Sequence, residues 1–208
     1  MFENRKQAGK QLAEALSKYK GKDAVVLAIP RGGLPLGAII AKSLHAPLDV
    51  VLTKKIGHPG NKEYAIGAVS LEDIYLTGRG EASQEYIEKE TERIRELLKT
   101  RDEHYHGKFR AKDLKGKVVI ITDDGIATGS TILATVEFAA AKTPAAIVVA
   151  VPVAPPDSIE NLWSNKNVDD VICLQTPYNF YAVGQFYKDF QAVSDEEAIR
   201  ILEEANKD

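Results

Sequence analysis

The sequence predicts an α/β domain with a central, mostly parallel sheet flanked by helices. Three observations predict it. Short apolar runs at residues 24–29, 117–122 and 145–153 alternate with segments of helical periodicity. These runs are apolar throughout rather than alternating, as strands covered on both faces must be. Hydrophobic residues make up 44% of 208 residues and charged residues 27%, so one core can be buried without covalent staples.

The elements follow in order. Residues 4–19 place Ala8, Leu12, Ala15 and Leu16 at helical spacing, and Gly21 stands where a helix stop belongs. The first strand, 24–29, runs into Pro30-Arg31-Gly32-Gly33, and a helix is expected over 36–44. A second strand at 47–53 ends at Lys54-Lys55, followed by the turn-rich Gly57-His58-Pro59-Gly60-Asn61 and two β-like runs, 65–69 and 74–77. Residues 83–105 are highly charged with a narrow apolar stripe (Ile87, Ile94, Leu97, Leu98), which predicts a mobile arm or a surface helix. The strongest strand, 117–122, precedes Asp123-Asp124-Gly125 and a helix over 130–141. Strands at 145–153 and 168–174 enclose a short helix near 159–163. Ser194 and Glu197 form a capping box that opens a last helix with Ala198, Ile201, Leu202 and Ala205 on its apolar face.

Composition excludes several classes of protein. The single Cys173 rules out an intramolecular disulfide, and no Cys/His spacing suits structural zinc. A net charge of -3 argues against a general nucleic-acid or anionic-membrane binder. No apolar run reaches the ~18 residues of a membrane span, and residues 1–6 lack a signal-peptide core. The expectation is a cytoplasmic protein with neither nucleic acid nor membrane as partner.

Chemistry concentrates after the strongest strand. Adjacent carboxylates Asp123 and Asp124 repel each other and need diol hydroxyls, a cation or a basic side chain as compensation. Gly129-Ser130-Thr131 then opens a helix with small residues, where free N–H groups and the helix dipole suit a phosphate. A diol and a phosphate at this separation describe a ribose 5-phosphate. Walker A fails, because three residues rather than four separate Gly125 from Gly129 and Ser130 follows, and no G-x-G-x-x-G occurs.

The stretch from Val119 to Thr131 resembles the phosphoribosyl-pyrophosphate (PRPP) signature of type I phosphoribosyltransferases: hydrophobic strand, acidic pair, then T-G-x-T. The resemblance implies that fold, with a single domain over 1–208, a lid or flexible-loop insertion over 70–115, and a hood with the C-terminal helix over 175–208. It implies that Asp123 and Asp124 hold the ribose hydroxyls and contact Mg²⁺, indirectly or through the ribose. The cradle for the 5-phosphate would be Ala127, Thr128, Gly129, Ser130 and Thr131. Gly125 departs from the usual aliphatic residue, and Ala127 replaces the aspartate of the 6-oxopurine branch, as in the adenine or uracil branches.

Pro30, Arg31, Gly32 and Gly33 match the family's pyrophosphate loop, where a cis peptide would join Pro30 to Arg31. Lys54 and Lys55 resemble the Arg-Lys segment of adenine phosphoribosyltransferases, which implies a lysine reaching pyrophosphate, sometimes across a dimer interface. Glu63 reads as a surface carboxylate before a general base. Arg101 and Tyr105 suit a lid closing on pyrophosphate, whereas His104 and His106 read as solvated helix-end residues before metal ligands. Tyr178, Phe180 and Tyr181 can stack on an acceptor base or pack the hood. Whole-chain order also resembles a group of uncharacterised predicted phosphoribosyltransferases. The implied activity is transfer of ribose 5-phosphate from PRPP to a nitrogenous acceptor, a nucleobase in the first instance, in an Mg²⁺-dependent homodimer. The alternative is a regulatory protein that senses PRPP or nucleotide without turnover.

Overall fold

The computed structural model describes residues 1–76, 82–107 and 111–207. In chain order its elements are α1 (Arg5–Ala15), β1 (Ala24–Ala28), α2 (Leu34–Leu44), β2 (Leu48–Val50), β3 (Lys54–His58), β4 (Asn61–Val69) and β5 (Ile74–Leu76). There follow α3 (Gln84–His106), β6 (Val118–Thr122), α4 (Ser130–Ala141), β7 (Ala146–Val153), α5 (Pro156–Trp163), β8 (Asp170–Gln175) and α6 (Asp195–Ala205). Among the described residues the strands form a five-stranded parallel sheet, β2-β1-β6-β7-β8, and a separate antiparallel sheet, β3-β4-β5. None of their helices is long and apolar enough to cross a membrane.

The period-two alternation of a strand explains why the parallel strands must be apolar on both faces. On β1, Ala24, Val26 and Ala28 join one core with Leu12 of α1, Ile40 of α2 and Leu202 of α6. Val25 and Leu27 join the opposite core with Ile132 and Val136 of α4 and Leu162 of α5. Helix α1 starts where Asn4 accepts the Gln7 N–H, and α6 starts where Ser194 accepts the Glu197 N–H.

Two readings are corrected. The turn-rich piece after Lys55 is strand: β3 and β4 pair antiparallel, with Lys54 opposite Val69 and the turn confined to Pro59 and Gly60. The second strand is correspondingly shorter than predicted. The other correction concerns residues 83–105, where the structure takes the surface-helix alternative and not the mobile arm. Ile87, Ile94 and Leu98 are buried, as is Tyr105, so α3 packs a narrow stripe into the main core rather than standing off as an arm. Its charge is confined to the remaining faces, which the sequence-wide charge density obscures. The β-like run at 74–77 ends at Leu76 here, since Thr77 lies outside the described residues.

At the end of α3, His106 lies between Asp102 (2.6 Å) and Asp49 (2.8 Å), and Asp49 also accepts the Lys112 N–H. Burial pushes the imidazole pKa down, but the hydrogen bonds and charges of Asp49 and Asp102 outweigh it and lift the pKa to about 9. A pKa raised on folding stabilises fully below the unfolded value, about 6.5, and the gain is lost as pH rises toward 9. We expect stability to fall across that window by on the order of 2 kcal/mol. Urea melts of His106→Gln should lack this component of the slope; identical slopes would contradict the assignment. Both ring nitrogens of His106 are thus engaged and the expectation of a solvated residue is corrected there, whereas His104 is exposed as expected and meets the Thr100 carbonyl only through Nδ1. Among the described residues no cluster of three or more His, Cys, Asp or Glu side chains could hold a metal.

Candidate active site

From β1 the chain leaves to β2 on one side, while β6 lies on the other. Such a switch point opens a crevice beyond the carboxyl ends of the strands, where ligands bind in doubly wound sheets. Ala28 is in register with both Val50 and Thr122, so the loops after β1, β2 and β6 emerge at one edge. The Ile29 N–H donates to the Thr122 carbonyl at 2.9 Å, and the Pro30–Arg31 peptide is cis. Gly32 touches the acidic loop directly: a Cβ there would collide with Asp124 Oδ2 and lie 2.6 Å from its Cγ. Only glycine allows the two loops to approach so closely.

The acidic pair is held in tension. Burial raises the Asp123 pKa well above the carboxylate range, and the charge of Asp124 adds to the effect. Burial raises Asp124 as well, opposed by Arg5. Arg5 donates from Nε (2.9 Å) and reaches Oδ2 with Nη2 at 2.8 Å, while Tyr187 Oη donates to the Asp124 carbonyl at 2.7 Å. Asp123 Oδ1 accepts the Asp124 N–H. Sequence reasoning missed Arg5 and Tyr187. A signal for Arg5 existed: it is the first residue of α1, with no acid in the first turn, and a cation at the positive end of a helix needs a compensating anion.

Past the acids, Gly125 packs under Val153 and Val183, which leaves no room for the family's aliphatic side chain. Ser158 of α5 donates to the Ala127 carbonyl at 3.1 Å and pins the turn. Gly129 adopts φ +76°, and no side chain caps α4. Its first N–H groups therefore face the loop with the positive dipole end behind them. Thr128 and Ser130 hydroxyls lie 3.3 Å apart, and Ala127, Thr128 and Thr131 are exposed. This arrangement suits a phosphate.

A cavity of about 350 Å³ joins these parts: Pro30, Lys54, Lys55, Arg101 and Thr131 line it with apolar residues just past β1 and β2 and with Leu98 of α3. Three expected cations thus meet beside the phosphate turn. Arg31 is half-exposed and reaches Asp195 at the start of α6 (3.5 Å). Tyr105 is buried, with its hydroxyl 3.5 Å from the same carboxylate, so it links α3 to α6. In the hood, Phe180 packs against Phe186 at 5.1 Å, whereas Tyr178 and Tyr181 project into solvent. The Glu63 side chain, and residues 77–81 and 108–110 of the expected lid, lie outside the described residues. A larger cavity of about 480 Å³ surrounds His106 and Asp49 and is not lined by the loops of the acidic pair or the phosphate turn.

Fold and crevice together define a doubly wound α/β domain with an open crevice at its switch point. Residues 2–191 match the family model of the phosphoribosyl transferase domain, and the chain belongs to that family. It is 38% identical, along its whole length, to a Mycobacterium tuberculosis protein provisionally named a phosphoribosyl transferase, and spans 48% of that relative. The crystal structure of TT1426 from Thermus thermophilus superposes with a TM-score of 0.92 at 40% identity, covering 98% of both chains. AQ2163 from Aquifex aeolicus shares the fold at 14% identity, with a TM-score of 0.50 over 82% of this chain and 73% of that one.

Proposed function

We propose that the chain transfers ribose 5-phosphate from PRPP to a nitrogenous acceptor, in the first instance a nucleobase. The observation that carries this reading is the cavity in which Lys54, Lys55 and Arg101 meet Pro30 and Thr131. The bond from C1 of the ribose to pyrophosphate breaks, a bond from C1 to the acceptor nitrogen forms, and the acceptor's proton is released. Asp123 and Asp124 accept the ribose hydroxyls, and residues 127–131 hold the 5-phosphate on the N-terminus of α4. Arg31, Lys54, Lys55 and Arg101 neutralise charge growing on pyrophosphate, a role for preorganised cations in a partly dry site. Tyr105 supports Arg31 through their shared carboxylate, Asp195. Tyr178 and Tyr181 are the exposed rings available to an acceptor, while Phe180 holds the hood.

Mg²⁺ fits the donor set in part. Two half-buried carboxylates with raised pKa values favour a nearby hard cation, but two are too few to hold Mg²⁺ alone, so ligand oxygens and water would have to share it. When bound near Asp123 and Asp124, Mg²⁺ would supply charge stabilisation for the leaving pyrophosphate. A cytoplasmic homodimer is the assembly that accompanies this reading, and sedimentation tests it.

The test is pyrophosphate release with PRPP, Mg²⁺ and a panel of purines, pyrimidines and small amines. Release that depends on one acceptor is the expected result. Tight PRPP binding with no release across the panel would replace the transferase by a PRPP sensor.

A further inference from the structure

The first few residues of the chain pack beside the acidic loop. Phe2 pairs with residues 186–188 of the hood: its N–H donates to the Phe186 carbonyl (2.7 Å), and its own carbonyl accepts the Lys188 N–H (2.8 Å). The Asp189 N–H donates to the Glu3 carbonyl at 2.9 Å. Phe2, Tyr187 and Phe190 stack in series, with ring centroids 5.4 and 4.9 Å apart. Residues 2–5 and 186–191 thus form one rigid platform beside the acidic loop.

Arg5 is fixed on that platform by contacts that do not involve Asp124. Its guanidinium carbon lies 3.9 Å from the Phe190 ring centroid, and Nη1 donates to the Gln191 carbonyl at 2.6 Å. Its remaining edge, Nε and Nη2, falls on a single oxygen, Oδ2 of Asp124. That oxygen is also the one that Gly32 approaches. A carboxylate held at one oxygen by both Nε and Nη2 of Arg5, with its backbone carbonyl held by Tyr187, is fixed in orientation. Both Arg5 contacts fall on Oδ2, so among the described residues Oδ1 is the carboxylate oxygen that Arg5 does not take.

We infer that Arg5 is a positioning residue for the ribose diol, acting through Asp124; this rests on the proposed PRPP reading and adds a member to its site. An arginine suits the task because its planar fork can serve a ring, a carbonyl and a carboxylate at once. Lysine retains the charge but not the fork.

The experiment is calorimetric titration of wild type, Arg5→Ala, Arg5→Lys, Asp124→Asn and the double variant Arg5→Ala/Asp124→Asn. The probes are PRPP with Mg²⁺, ribose 5-phosphate and inorganic pyrophosphate. Arg5→Ala should weaken PRPP and ribose 5-phosphate about tenfold and leave pyrophosphate within twofold. Arg5→Lys should fall between wild type and Arg5→Ala, and keeps the test open should the alanine variant fail to fold. In the Asp124→Asn background, Arg5→Ala should add less than twofold. Equal weakening of all three probes, or full additivity with Asp124→Asn, would overturn the inference while leaving the PRPP reading intact. Wild type that binds pyrophosphate but neither ribose phosphate would overturn the reading, and the inference with it.

Discussion

Replacing Gly32 with alanine should cost the protein both its ligand and part of its stability. The new Cβ would overlap Asp124 Oδ2 and sit 2.6 Å from its Cγ, and neither neighbour can yield freely. Asp124 is clamped by Arg5 with little exposure. Gly32 lies in the short turn between β1 and α2, which the Gly33 N–H closes by donating to the Ile29 carbonyl at 3.0 Å. Moving the carboxylate breaks charge-assisted hydrogen bonds worth about 1.5–3 kcal/mol, and overpacking typically costs about 1–3 kcal/mol. We expect a loss of about 2–4 kcal/mol in unfolding free energy. PRPP affinity should fall by about a hundredfold, equivalent to about 2.7 kcal/mol. The double variant Gly32→Ala/Asp124→Ala should recover much of the stability and none of the affinity, because the clash needs the carboxylate. Urea unfolding and calorimetry measure the two effects. A Gly32→Ala protein with wild-type values for both would show that the loops do not meet as described.

Arg31→Ala should separate function from folding in the opposite sense. Its ion pair with Asp195 spans 3.5 Å between exposed side chains, and such pairs contribute about 0–1 kcal/mol. Stability should therefore barely change. Turnover should drop about a hundredfold, since one preorganised charge contact on a leaving group supplies about 3 kcal/mol in the transition state. Nucleoside-monophosphate binding should weaken far less, because that ligand carries no pyrophosphate. Pyrophosphate-release kinetics beside monophosphate titrations check this. Equal losses in both would place Arg31 at the 5-phosphate instead.

The sequence was most legible where a local rule decides structure. Wholly apolar runs marked β1, β6 and β7, and the helix over 130–141 was read with its observed bounds. The acidic pair and the Gly129 turn were legible because like charges and a phosphate cradle are local in sequence. What was hidden depended on distant partners. The burial of α3 follows from Ile94 and Leu98 meeting the main core, and composition reports only its charged faces. Pairing of β3 with β4 bends a segment that reads as turn into a hairpin. Arg5 lies 119 positions from Asp124, so no motif window could join them. Its unfavourable place at the head of α1 was the only local trace.

Ribose recognition by the acidic pair is the claim on which the account depends, and base-free sugars test it most directly. The measurement is calorimetry of ribose 5-phosphate against 2-deoxyribose 5-phosphate, on wild type and on Asp124→Asn. Wild type should prefer the ribose form about tenfold, as one charge-assisted hydrogen bond of about 1.5 kcal/mol provides, and Asp124→Asn should lose most of that preference. Equal affinity of wild type for the two sugars would contradict the account, because no carboxylate would then be reading the diol.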